Sequence, residues 1–503
     1  MNRRDFMGSS LAAFLAGAFV GRTQGAGASE GGSLVSPRDT ALAVRPVMTN
    51  IVHSGLWEGP CRWDAVGVAD ERSGAEANFA RWSKQVVQDL GGQAGIELLP
   101  PAHLTFAEDF VLTQEQLRNL TRDGKQADVL LVAPHGASFA AVEVGRFVGT
   151  PVIVQGLNCR TVDIAAYARS KGQEAFVPHT PDELRRLLVV LRARKVFGQT
   201  RVLFPTDRGL PPVASVASIN DLDDLARRHG VEVKPISYDE LKGAMEQTLA
   251  SAADRQKAEA AAGELMRHAE ETLLRAEFVT RSLQFYQTIA RLMGRHGCNA
   301  FTIECFEFCS SRLPEKWKIT PCLVHTLLKD QGHASSCEAD LGALLSMRLL
   351  MSVSQKASHL GNTFLRPGGV LGVNHSAAGL KMNGYDQPVL PYKLGRFVQS
   401  GWGAKAVVDF TKNEEKRVTV ARIDPTATRM LVLKGRLVGS DGWQGDNIGC
   451  SVEARIEPCE GKAEDFIRRQ LDYGNHLIWV YGHYVDEMRQ LGDLVGMNVD
   501  VFG

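Results

Sequence analysis

Three short segments carry residues that could do chemistry. In the first, the apolar run Phe301-Thr302-Ile303 leads straight into Glu304. A strand that ends on a carboxylate places it at the carboxyl edge of an α/β sheet, where ligands bind. Buried there, it needs a cation, a hydrogen-bond donor or a proton. The second segment, CEADLGALLSM at 337–347, sets Glu338 and Asp340 just before an apolar helix. Capping accounts for one of these acids, because Asp is a preferred N-cap and the helix dipole favours negative charge. The other acid then points elsewhere. The third segment, GNHLIWVYGHY at 474–484, holds His476 and His483 among aromatics. Together Glu304, Asp340 and His476 offer two hard oxygen donors and one imidazole. That set suits Mn2+ or Mg2+ better than a soft metal. Three protein ligands also leave positions open for substrate oxygens. His375, beside Asn374, is a possible additional ligand or substrate contact, its plain alternative being a turn histidine.

Other chemistries lack their motifs. There is no Walker A loop, no HExxH and no zinc-spaced cysteine pair. The G-x-S-x-G elbow is missing. Gly368, Gly369 and Gly372 do not have dinucleotide-fingerprint spacing. Cys305 and Cys309, on an apolar stretch, read as small hydrophobes.

The elements that must position these residues follow an α/β pattern. Apolar runs at 127–132, 151–154, 201–204 and 298–303 read as strands, with helical stretches at 75–90, 137–147 and 181–193 between them. Strands of this kind form parallel sheets covered on both faces. The stretches 407–410, 417–423, 429–438 and 449–456 are instead β-rich and separated by turn signals, as in an antiparallel sheet or small barrel. The fold class expected is α/β: two stacked α/β domains with parallel sheets, at 44–198 and 199–360, and a C-terminal β-rich, barrel-like domain at 361–503.

The chain has 503 residues, enough for several domains, and is 44% hydrophobic. Its 57 basic and 57 acidic residues balance, which argues against a nucleic-acid binder. Nine cysteines are too few for a stapled secreted fold. Arg3-Arg4 opens a twin-arginine signal peptide over 1–28, with Ala26-Gly27-Ala28 as the cleavage site and a linker at 29–43. Export in the folded state to the periplasm is the expected location. The apolar core of the leader is too short for a stable membrane anchor.

Glu304, the EAD segment with Asp340 and the Asn475-His476 segment, in that order, resemble the L-fucose/L-arabinose isomerase-like superfamily, within it the fucose-isomerase-like sugar isomerases. Pro321-Cys322 before a helix, CEADLGALLSM, and Asn374-His375 followed by Gly379-Leu380-Lys381-Met382 add to the likeness, which is strongest over 298–503. The resemblance implies three domains and Mn2+ (or Mg2+) held by Glu304, Asp340 and His476. It also implies a small-molecule sugar substrate and a homo-trimer or homo-hexamer.

The reaction so implied is aldose–ketose isomerisation through an ene-diol. A cation stabilises the developing negative charge. Glu304 and Asp340 are the expected catalytic pair, moving a proton between neighbouring carbons, with His476 mainly a ligand. Trp443 and Trp479 could stack on a sugar, although core packing accounts for both. Two rival readings stand beside this one: a metal-dependent sugar epimerase or lyase on the same fold, and an exported non-catalytic sugar-binding protein. The even charge balance suits a neutral sugar, which needs no steering field.

Overall fold

A computed structural model describes residues 36–59, 62–122, 124 and 126–502. The leader assigned to 1–28 lies outside the described residues. No helix among the described residues is long and apolar enough to cross a membrane.

The chain divides into two compact units. One is Thr40–Arg192; the other joins Ala193–Gly503 to the segment ending at Asp39. The boundary expected near 360 falls inside this second unit.

Thr40–Arg192 is built on a parallel sheet. Strand β1 (Leu42–Ile51) pairs on one side with β2 (Ile96–Leu98) and β3 (Ala102–Phe106), and on the other with β4 (Val129–Pro134). Beyond β4 lie β5 (Val152–Val154) and β6 (Ala175–Phe176). Strand β1 is buried over nine of its ten residues, and the core runs through Val47, Leu130, Val132 and Val154. Such continuous burial is what a sheet covered on both faces demands.

The second unit contains a four-stranded parallel sheet, a small three-stranded sheet and the C-terminal sheet. Its parallel sheet runs in the order β8 (Glu232–Ile236), β7 (Arg201–Pro205), β9 (Ala300–Ile303), β10 (Ala334–Cys337). In the β9–β10 pairing Ile303 stands opposite Cys337, so Glu304 and Glu338 leave neighbouring strands at the same edge. Glu304 caps the short helix α1 (Cys305–Ser310). Asp340 caps α2 (Leu341–Ser354), accepting the Ala343 N–H at 2.9 Å. Helix α2 is buried along its whole length, which explains why it is apolar on every side. It packs against β10 and against two barrel strands, and so lies between the two sheets.

The C-terminal sheet closes. Around it run β13 (Arg417–Ile423), β16 (Leu477–Tyr481), β11 (His359–Arg366), β12 (Val370–His375), β15 (Val452–Pro458) and β14 (Arg429–Asp441), and β14 pairs back onto β13. The six pairings are antiparallel, and β17 (Asn498–Phe502) joins β14 in parallel. The barrel-like region expected from the turn-separated β pattern is therefore a closed antiparallel ring with one parallel strand added beside β14. Strand β11 can sit between β12 and β16 because of Gly361. A Cβ there would lie 2.6 Å from the Asn374 backbone nitrogen.

Candidate metal centre

Two sheets deliver the site. Glu338 comes from the turn after β10, His375 is the last residue of β12, and His476 immediately precedes β16. The turn that carries Glu338 is unusual. Glu338 and Ala339 both have positive φ, 60° and 49°. Consecutive non-glycine residues in that region cost about 1–3 kcal/mol each and persist where the surroundings enforce them. Here the turn aims two successive acids in different directions. Glu338 goes into the cluster; Asp340 goes to the helix end.

The two histidines come from the strands on either side of β11. A one-residue slip would turn His375 to the other face. Closure of the ring opposes such a slip.

Glu338, His375 and His476 each offer a ligand atom, and these atoms lie within 4.8 Å of one another. His375 Nε2 is 3.5 Å from one Glu338 oxygen, and His476 Nε2 is 3.6 Å from the other. Those separations are too long for good hydrogen bonds. They are close to what donors sharing one cation at roughly 2.1 Å would show. Both Nε2 atoms are buried and make no hydrogen bond. Buried polar atoms are normally satisfied, so two converging unsatisfied imidazole nitrogens beside a carboxylate fit a metal ion. The group could hold one.

The other nitrogens of these rings are engaged, as metal-binding imidazoles usually require. His476 Nδ1 lies 2.9 Å from Asp340 Oδ2. His375 Nδ1 faces Cys450 Sγ at 3.8 Å. The Ser215 hydroxyl donates to Glu338 at 3.0 Å and lies 3.3 Å from His476 Nδ1.

Asp340 differs from the expectation. Both its oxygens accept from Arg422 Nη1, at 2.7 and 2.8 Å, and both residues are buried. Arg422 is tied in turn to the Tyr473 and Ala217 carbonyls. Burial pushes the Asp340 carboxyl up, but Arg422 and His476 outweigh it and hold it down at about 2. With its oxygens on Arg422, Ala343 and His476, Asp340 stands behind His476 and outside the Glu338, His375 and His476 group, whereas the sequence expectation placed it among the ligands. The capping argument was sound, but it applied to Asp340, leaving Glu338 to face the cluster.

Glu304 lies beside the group. It is buried; one oxygen accepts the Glu307 N–H as a cap, and Oε1 has no partner. Burial raises its pKa, and the nearby charge of Glu338 adds to that. The backbone capping bonds act the other way. The structure thus leaves Glu304 outside the group, though near enough to feel the Glu338 charge, and brings His375 and His476 together on Glu338, the acid to which the sequence reading gave no role. The signal for it was present in the sequence, as the second acid of Glu338-Ala339-Asp340. Trp479 is fully buried against His359, Phe410 and Tyr481, and Trp443 is flanked by Lys393 and Lys412. Neither presents a free stacking face.

In comparisons with known proteins, no family model matches the chain and no curated protein matches it.

Proposed function

We propose that the protein is a metal-dependent sugar isomerase. In this reading it takes Mn2+ or Mg2+ on Glu338, His375 and His476, with Glu304 at hand, and interconverts an aldose and a ketose. The observation that carries the reading is the convergence of two buried, unsatisfied imidazole nitrogens on a carboxylate, whose charge also acts on the buried Glu304 with its free oxygen. Oxygen and imidazole donors favour a harder divalent ion over one that prefers thiolates.

A bound divalent ion would supply Lewis-acid stabilisation of negative charge on adjacent sugar oxygens. The residues do the rest. Glu304 Oε1 is the group without a partner, and it is assigned the proton shuttle. It removes a proton from the hydroxyl-bearing carbon next to the carbonyl and returns it to the former carbonyl carbon, while the hydroxyl proton passes from the first carbon's oxygen to the former carbonyl oxygen. Glu338 and the imidazoles fix where the sugar oxygens sit. Asp340 and Arg422 keep His476 in the tautomer that presents Nε2. The Ser215 hydroxyl, already between Glu338 and His476, is placed to contact a sugar hydroxyl.

The test is direct. Purified full-length protein is stripped with EDTA, reloaded with Mn2+ and incubated with a panel of aldoses and ketoses in D2O. One ion per chain and deuterium at the carbon beside the carbonyl are expected. Epimerised or dehydrated product would move the reaction to the epimerase or lyase class. Sugar binding with no bound ion would leave only a binding protein.

A further inference from the structure

Thr40–Arg192 has a cavity of its own, about 370 Å3 in volume, which is within the range of small-molecule sites. It lies at the carboxyl ends of β1 and β3, against the first turns of the helix Val68–Leu90. Ligands of open α/β sheets bind at that edge. Val52, which follows β1, and Phe106, which ends β3, form apolar walls. The Val52 N–H ties them together by donating to the Phe106 carbonyl at 2.8 Å. Ala75 completes the apolar surface from the helix.

The charged lining is unpaired. Arg72 and Glu76 stand four residues apart on the helix, so their Cβ atoms lie about 5–6 Å apart on one face. Among the described residues neither makes a hydrogen bond or an ion pair, with the other or elsewhere. The order matters, because an acid that follows its base is the weaker helical pairing. Their neighbour Glu71 is committed instead: it accepts the His53 N–H at 2.7 Å and lies 2.9 Å from His53 Nδ1. The third polar group is His103. Asn50 Nδ2 lies 2.8 Å from its Nε2, and an amide nitrogen can only donate, so Nε2 accepts and the ring proton sits on Nδ1. Phe79 stacks on the ring at 4.6 Å, within 5° of parallel, and fixes its plane. Burial lowers the His103 pKa against the pull of Glu76, which keeps the ring an uncharged donor at neutral pH.

We propose that this cavity binds a free α-amino acid with an uncharged side chain, its carboxylate on Arg72 and the His103 Nδ1–H, its ammonium on Glu76. Such a ligand carries opposite charges one carbon apart and meets both unpaired side chains at once. The guanidinium fork suits a carboxylate. A neutral sugar would leave both protein charges uncompensated, and a simple carboxylate would leave Glu76 facing a like charge. The walls of Val52, Ala75 and Phe106 suit an apolar side chain. Every residue used lies in Thr40–Arg192, so the inference does not depend on the metal reading.

Full-length protein in EDTA, where no amino acid can be held through a metal ion, is titrated calorimetrically with L-alanine, L-valine, L-leucine and L-phenylalanine in turn. At least one should bind, with one site per chain. The deaminated acid and the decarboxylated amine of that ligand should each bind at least about tenfold more weakly, as the loss of a charged hydrogen bond entails. Arg72 and Glu76 are both exposed, so R72Q and E76Q should keep the parent's melting temperature and lose affinity to the same degree. Failure of all the amino acids to bind would overturn the proposal. So would equal affinity for either half-molecule, or binding undiminished in both variants. D-glucose bound in place of any amino acid would overturn it in favour of a sugar site.

Discussion

Asp340 and Arg422 form a closed pair: one guanidinium nitrogen bonds both carboxylate oxygens, and neither residue is exposed. The pair lies directly behind His476. Breaking one side of such a pair strands a buried charge, at a cost of about 3–5 kcal/mol. Asp340→Asn should therefore lower the urea midpoint sharply, and Asp340→Asn with Arg422→Met should recover part of the loss. A single variant within about 1 kcal/mol of the parent would show that the pair is not what holds this end of the helix.

Glu338 should show its role in the metal affinity. Without metal it stands against the buried His375 and His476 rings, at 3.5 and 3.6 Å, and offsets the charge of a protonated ring, so Glu338→Gln should cost some metal-free stability as well. Metal affinity should fall by more than the roughly 10–100-fold typical of a residue that only supports a ligand. Mn2+ at about a hundred times its Kd should stabilise the parent by about 2.7 kcal/mol. Melting curves with and without Mn2+ read both effects, and an equal metal-induced shift in Glu338→Gln would remove Glu338 from the ligand set.

Glu304→Gln separates chemistry from binding. The amide keeps a carbonyl oxygen for the Glu307 N–H but cannot shuttle a proton. Turnover should fall by about 10²–10⁴-fold, with the melting temperature and metal content kept. Near-normal turnover on the sugar used by the parent would exclude Glu304 as the proton carrier.

Asp330 governs a pH dependence away from the cluster. Burial raises its carboxyl from near 3.8 to about 7, although the Leu380 and Lys381 N–H groups and the charges of Lys329 and Lys381 work against it. Tyr286 and Tyr392 also face it and are neutral in this range. A raised folded pKa means the folded state holds the proton more tightly than the unfolded one. The resulting stability is complete below the unfolded value, near pH 4, and is lost as pH rises to about 7. Asp330→Asn should flatten the fall in urea midpoint across that window. Parallel slopes for parent and variant would refute the assignment.

The apolar strands were readable in the sequence because burial on both faces writes itself as uninterrupted Val, Leu and Ile. Val129–Pro134 and Arg201–Pro205 lie within a residue or two of where the pattern puts them. Arg417–Ile423 coincides with it. Strands β11, β12 and β16 were not readable in the same way. In β11, Gly361 and Asn362 interrupt the run, yet Gly361 is there because the neighbouring backbone comes too close for a side chain. Choosing between Glu338 and Asp340 was harder still. Both are acids before the same helix, and what separates them is a pair of left-handed residues, Glu338 and Ala339, whose side chains give no hint of that conformation. Glu304 was legible because its carboxylate ends an apolar strand.

The ring closes only when β16 seats between β11 and β13. His476 stands at the start of that strand, so on a ribosome the cluster is incomplete until nearly all of the sequence shown has been synthesised. Glu338 and His375 emerge far earlier and wait without their partner. Completion of the three-residue group is thus a late event in the life of each chain, simultaneous with the docking of the last strand of the ring. A chain stalled before β16 would have neither a finished barrel nor a finished metal group.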